Sequence, residues 1–164
     1  MKKNLTALLL ALTLALSLAA CGGSSGGESK SADLTAFYET LASDETLPAM
    51  MLLEEEQLEA YYPGLSGVAA KQRVVALAAI SSVAGELALV EVEDAGDLET
   101  VKGILQARID YQVGDGNGPG GAFYPETMEN WEKNSRIVSN GNTVMLVVCE
   151  DAGGAVERFQ ALFA

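Results

Sequence analysis

Leu18-Ala19-Ala20-Cys21 closes an apolar stretch that follows Met1-Lys2-Lys3 in this 164-residue chain, and it carries the clearest chemistry in the sequence. Two lysines for the cytoplasmic side, an apolar run over residues 5–18 and small residues at the cut make a secretory leader. A cysteine directly after Leu-Ala-Ala has the form of a bacterial lipobox, whose thiol receives diacylglycerol before cleavage. Lipidation is therefore expected at Cys21, with residues 1–20 as signal peptide. The apolar run covers about 14 positions, short of the roughly 20 that a spanning helix needs. Two acyl chains, at about 0.8 kcal/mol per buried methylene, would hold the mature chain on the outer face of the membrane. The competing reading is a soluble secreted protein with an incidental cysteine.

Other residues offer weaker chemistry. Gly116-x-Gly118-x-x-Gly121 has the dinucleotide-binding spacing, but that use needs a preceding strand and a helix that opens at its end. Here the glycines follow a helical pattern and enclose Pro119, so a loop is expected. Asp115, Asn117, Gly120 and Glu126 fit positions 1, 3, 6 and 12 of a calcium loop, while Pro119 and Phe123 stand where oxygen ligands belong. Paired carboxylates can hydrolyse glycosides without histidine, and Glu86, Glu91 or Glu126 could contribute. No spacing selects a pair, and Glu86 suits a strand edge, or a structural hydrogen-bonded pair with a residue such as Arg108, better than catalysis. The chain contains no histidine, which removes cysteine–histidine and serine–histidine catalysis together with the commonest zinc ligand. Cys149 ends the apolar run Val144-Met145-Leu146-Val147-Val148 and reads as a buried thiol with no partner in the chain once Cys21 carries lipid. No catalytic residue, metal or cofactor is assigned.

Charge narrows the partners. The formal net charge is −13, and loss of residues 1–20 removes two lysines and no acids, giving −15. Such a surface is repelled by phosphate backbones and anionic headgroups, so nucleic acid is not an expected partner and lipid must supply the membrane affinity. Basic proteins and cations remain possible.

The elements that must position these residues lie beyond residues 21–31, a lipidated cysteine and a Gly/Ser tether with nothing to bury. Residues 32–164 suit one domain. Leu34, Phe37, Tyr38 and Leu41 make one stripe of a helix that begins near Ser31 or Asp33. A short helix is expected over residues 54–62, ended by Pro63-Gly64, with Leu58 and Tyr61 or Tyr62 inward. Residues 73–80 and 86–92 read as a hairpin whose second strand is covered on both faces, although the alanine-rich first run also suits a helix. Leu98, Val101, Leu105, Arg108, Ile109 and Gln112 mark the main helix. Another short helix, with Met128 and Trp131 three apart, is expected over residues 125–134. Arg136 to Val148 reads as a hairpin about Asn140-Gly141, and Asp151 caps a closing helix striped by Ala155, Val156, Phe159, Leu162 and Phe163. The fold class is therefore α+β: an antiparallel sheet of about four strands from two hairpins, each followed by an amphipathic helix, with an N-terminal helix, all helices on one face. Phe123, Tyr124 and Trp131 form either an exposed recognition patch or part of the core.

In this order the lipobox and tether, Tyr62-Pro63-Gly64, Gly85-Glu86-Leu87-Ala88-Leu89-Val90, the Arg108 helix, Tyr124-Pro125-Glu126 and the last hairpin and helix resemble a family of bacterial lipoproteins. They are common in clostridia-like Firmicutes and are labelled domain of unknown function 4358. The resemblance spans roughly residues 34–163 and implies an extracytoplasmic, membrane-anchored lipoprotein, with no catalytic residues to carry over. The expected role is a non-catalytic binding or interaction module, an accessory to another envelope protein. The alternatives are a hydrolase of cell-envelope polymers and a binder of a small ligand or calcium.

Overall fold

The computed structural model describes residues 31–114 and 120–164. The leader, the tether and lipid attachment at Cys21 lie outside the described residues. A five-stranded antiparallel sheet, ordered β1-β2-β3-β5-β4, carries five helices. In chain order these are α1 (Leu34–Ser43), β1 (Met50–Leu52), α2 (Glu55–Tyr61), β2 (Ala70–Ala78), β3 (Glu86–Val92), α3 (Leu98–Val113), α4 (Pro125–Asn134), β4 (Ser135–Asn140), β5 (Thr143–Val148) and α5 (Ala152–Ala161). The architecture is α+β as expected, with two corrections to the detail.

The first correction is the strand number. Met50, Met51 and Leu52 pair with Ala78, Leu77 and Ala76 and add an edge strand. Three residues show no alternation to read, and their pairing is set by the longer strand beside them. The second concerns the helices, which cover both faces. Leu34, Phe37, Leu41 and Phe159 of α1 and α5 pack on one face with Leu87, Leu89, Met145 and Val147. Leu58, Val101, Leu105 and Trp131 of α2, α3 and α4 pack on the other with Ala88, Val90, Val144, Leu146 and Val148. Every residue of β3 and β5 is buried. That pattern explains their unbroken apolar runs: a central strand with helices on both sides has no solvent face to mark with polar residues.

The caps follow from residue type. Asp33 accepts from the Ala36 amide and Asp151 from the Gly154 amide, each meeting a donor that the first helical turn leaves open. The β4–β5 turn sits one residue later than expected. Asn140 pairs with Thr143, so Gly141-Asn142 form the loop, with Gly141 at φ 53°. Glycine at the first central position meets the need of a II′ turn, whereas the I′ turn expected of Asn140-Gly141 needs positive φ at both centres.

Cys149 is buried at the end of β5 as a free thiol. Burial pushes its pKa up to about 11 from 9.0, and the charge of Asp151 adds to the effect. A folded value above the unfolded one stabilises the protein fully below about pH 9 and loses that stabilisation as pH rises through 11. The expected loss is about 3 kcal/mol across that window, and Cys149→Ala should flatten this part of a urea-denaturation profile. At pH 8 the thiol should alkylate about 100-fold more slowly in the native protein than in denaturant. Equal rates would show that the thiol is accessible.

Candidate functional site

The first residue of β3, Glu86, faces α3 from a position that is 2% exposed. Arg108 lies on the stripe of α3 that carries Val101 and Leu105, so the helix that packs on the sheet also delivers its guanidinium to Glu86. Nε donates to Oε1 at 2.7 Å and Nη2 to Oε2 at 2.9 Å, a bidentate pair. The Tyr62 hydroxyl, at the end of α2, donates to the same Oε1. Four rings surround the cation, with centroids 5.4 Å away for Tyr61, 5.7 Å for Tyr62, 5.9 Å for Tyr111 and 5.6 Å for Trp131. Burial, reinforced by the negative charge of Glu86, raises the Tyr62 phenol well above its ordinary range. Burial works against the Arg108 cation, but the bonds and charge of Glu86 outweigh it and raise the pKa. Tyr62 therefore stays neutral and Arg108 charged, and the guanidinium offsets the carboxylate within the cluster. Held in this way, Glu86 and Arg108 shape a wall, and neither Tyr62 nor Arg108 has a proton to exchange near neutral pH.

Two cavities meet at this wall, and Tyr61, Arg108, Gln112 and Gly121 line both. One, about 560 Å³, extends between α2 and α3 past Pro63, Ile104 and Tyr111. The other, about 350 Å³, extends past Met51, Leu77, Ile80, Val83, Thr127 and Trp131. Met51, Ile80 and Val83 are exposed at the rim of the second cavity and Tyr111 at the rim of the first, and Phe123, Tyr124 and Met128 are exposed where the chain enters α4. Apolar surface gathered at the mouth of a groove is unusual for a solvated face.

A third groove, about 570 Å³, adjoins the second at Val83 and has a different lining: Asp44, Glu45, Glu126, Glu150 and Asp151. The Thr127 hydroxyl donates to the Ser82 carbonyl at 3.1 Å and fastens α4 to the β2–β3 turn that separates the two grooves. A hydrogen bond from Thr46, with further help from Arg158, lowers the Asp44 pKa. Among the described residues no three Asp, Glu, Cys or His side chains converge as metal ligands would.

The candidate carboxylates do not meet. Glu86 and Glu91 are five positions apart on one strand, so they point to opposite faces and stand about 17 Å apart along it. Glu91, 1% exposed, accepts from the Ser31 hydroxyl at 2.9 Å and from Gln72 Nε2 at 2.7 Å, with Lys71 Nζ at 3.4 Å. Gln72 also binds the Ala32 carbonyl and the Leu34 amide, so this cluster fastens the start of the domain to the sheet. Glu126 lines the acidic groove.

Asp115, Asn117, Gly116, Gly118 and Pro119 lie outside the described residues. The described end of that segment has a packing role: the Gly121 amide donates to the Tyr111 carbonyl at 2.8 Å. A Cβ on Gly120 would stand 2.4 Å from the Gln112 carbonyl oxygen, and one on Gly121 would stand 2.4 Å from the Tyr111 ring. Trp131 is core, whereas Phe123 and Tyr124 are exposed, so the three aromatics divide between the two expected roles. On α4 the inward pair is Thr127 and Trp131, four apart, and Met128 is exposed. Tyr62 as the third member of the Glu86 cluster, and the ring shell about Arg108, were not foreseeable as such; the Tyr61-Tyr62 pair before Pro63-Gly64 was the available signal. Comparison with family models, curated proteins and solved structures finds no match to the chain.

Proposed function

We propose that the chain is a lipid-anchored extracytoplasmic lipoprotein of the bacterial cell membrane, whose α+β domain is a non-catalytic module that binds a protein partner in the envelope. The observation that carries the binding role is the groove beside the Glu86–Arg108 pair: rimmed with exposed Met51, Ile80 and Val83, and walled by two groups that satisfy one another. Large apolar side chains left at the mouth of a preformed groove are the usual anchors of recognition. The lipobox supports the location, and so does the resemblance to extracytoplasmic lipoproteins.

Two measurements test the halves of this reading. Cys21→Ala should move the protein from the detergent phase to the aqueous phase in a phase-partition assay and abolish incorporation of labelled fatty acid; unchanged partitioning refutes lipid anchoring there. A photo-crosslinking residue at Met51 or Ile80, on the groove, should capture an envelope protein in the native membrane, while the same residue at Glu39 or Glu157, on the helices of the other face, should not. Capture from neither face, together with turnover of peptidoglycan fragments, would favour an envelope-polymer hydrolase.

A further inference from the structure

We infer that the partner presents a polypeptide segment in which apolar anchors are followed within a few residues by Lys or Arg, the anchors filling the groove beside Trp131 and the basic residues lying in the acidic groove next to it. This rests on the binding-module reading and specifies its ligand. The two grooves share Val83 as a common wall, so an occupant of one has only a single ridge to cross to reach the other. That ridge is fixed, because Thr127 on α4 is hydrogen-bonded to Ser82 in the β2–β3 turn. Neighbouring stripes of α4 divide the work: Thr127 and Trp131 line the groove rimmed by Met51 and Ile80, Glu126 and Asn130 the acidic one.

Charge selects the second half of the ligand. Asp44, Glu45, Glu126, Glu150 and Asp151 line the acidic groove, and among the described residues no Lys or Arg does. The nearby cation, Arg158, is engaged by Asp44 and Thr46. Within a chain of net charge −13, the four carboxylates other than Arg158-paired Asp44 focus a negative potential in one concavity that draws cations in and turns anions away. The same field disfavours anionic lipid headgroups and nucleic acid. Met51, Ile80 and Val83 give the other groove an aliphatic rim, which accepts Leu, Ile, Met or Phe side chains better than it stacks on sugar rings.

The chain has a single tryptophan, Trp131, which lies in the wall of the groove rimmed by Met51 and Ile80, and its fluorescence is the probe of occupancy. The experiment selects a Trp-free random peptide display library on the full lipidated chain in detergent, then titrates the enriched peptides against Trp131 emission at low and high salt. The same titration is run on the E126Q/E150Q variant, with its thermal midpoint as a folding control; both side chains are exposed, and neither belongs to the Glu86 cluster. The expected peptides place Lys or Arg beside an apolar anchor, weaken with salt, and bind the variant about tenfold less tightly. Enriched peptides that shift Trp131 emission with no basic residue, or that bind the variant as tightly as the parent, overturn this inference and leave the binding groove standing. Failure of every peptide to shift the emission overturns both.

Discussion

Glu86→Ala should cost about 3–5 kcal/mol of folding stability, because it strands a buried guanidinium without its counter-ion. Arg108 is 9% exposed and makes both arms of its bidentate pair with this one carboxylate, and Tyr62, fully buried, loses its acceptor as well. A domain of this size has about 5–15 kcal/mol in total, so the substitution should shift the urea midpoint by a large fraction of its value. The cost belongs to the orphaned partners more than to the pair itself. Replacing all three groups by apolar ones of similar volume, in E86L/R108M/Y62F, should therefore recover most of the loss. Tyr62→Phe alone should cost about 1.5–3 kcal/mol, the range for a hydrogen bond to a charged group. A loss below about 1 kcal/mol for Glu86→Ala would mean that water reaches the cluster and pays the desolvation in its place.

Phe159→Ala should cost a similar 3–5 kcal/mol, on the opposite face of the sheet. Its ring is wholly buried and sits between Phe37 of α1, at 6.2 Å, and Phe163, at 5.3 Å and near-perpendicular. α5 has little helix propensity of its own to spare, with Gly153 and Gly154 in its first turn. Its attachment relies on the aromatic that joins it to α1 and to the sheet. The test is chemical denaturation beside hydrogen exchange: α1 and α5 amides should lose protection before those of α3. Met128→Ala, on an exposed face, is the control and should stay within about 0.5 kcal/mol. Equal protection loss on both faces would show that the two packing layers are not separable.

Much of this fold is written locally. The stripe Leu34, Phe37, Leu41, the Asp33 and Asp151 caps, and α4 from Pro125 to Asn134 follow from residue types a few positions apart. What depends on distant partners was harder to read. β1 exists because Met50, Met51 and Leu52 find Ala78, Leu77 and Ala76 across a gap of more than twenty residues. The division of helices between two faces depends on where each connection crosses the sheet edge, which periodicity within one helix does not record. The site divides in the same way. Glu86 and Arg108 are polar residues within apolar patterns, a mismatch that marks a buried partner, so their pairing was accessible. The adjoining grooves were not, because they arise from segments far apart in the chain, among them residues 44–51, 77–86, 108–112, 121–131 and 149–151, brought together by the sheet.

The cluster at Ser31, Gln72 and Glu91 has a mechanical consequence. It grips the chain at the Val92 end of β3, while the grooves open at the Glu86 end, a strand's length away. A chain arriving at Ser31 therefore joins the domain at the end remote from the grooves, and whatever holds it there leaves their mouths unobstructed.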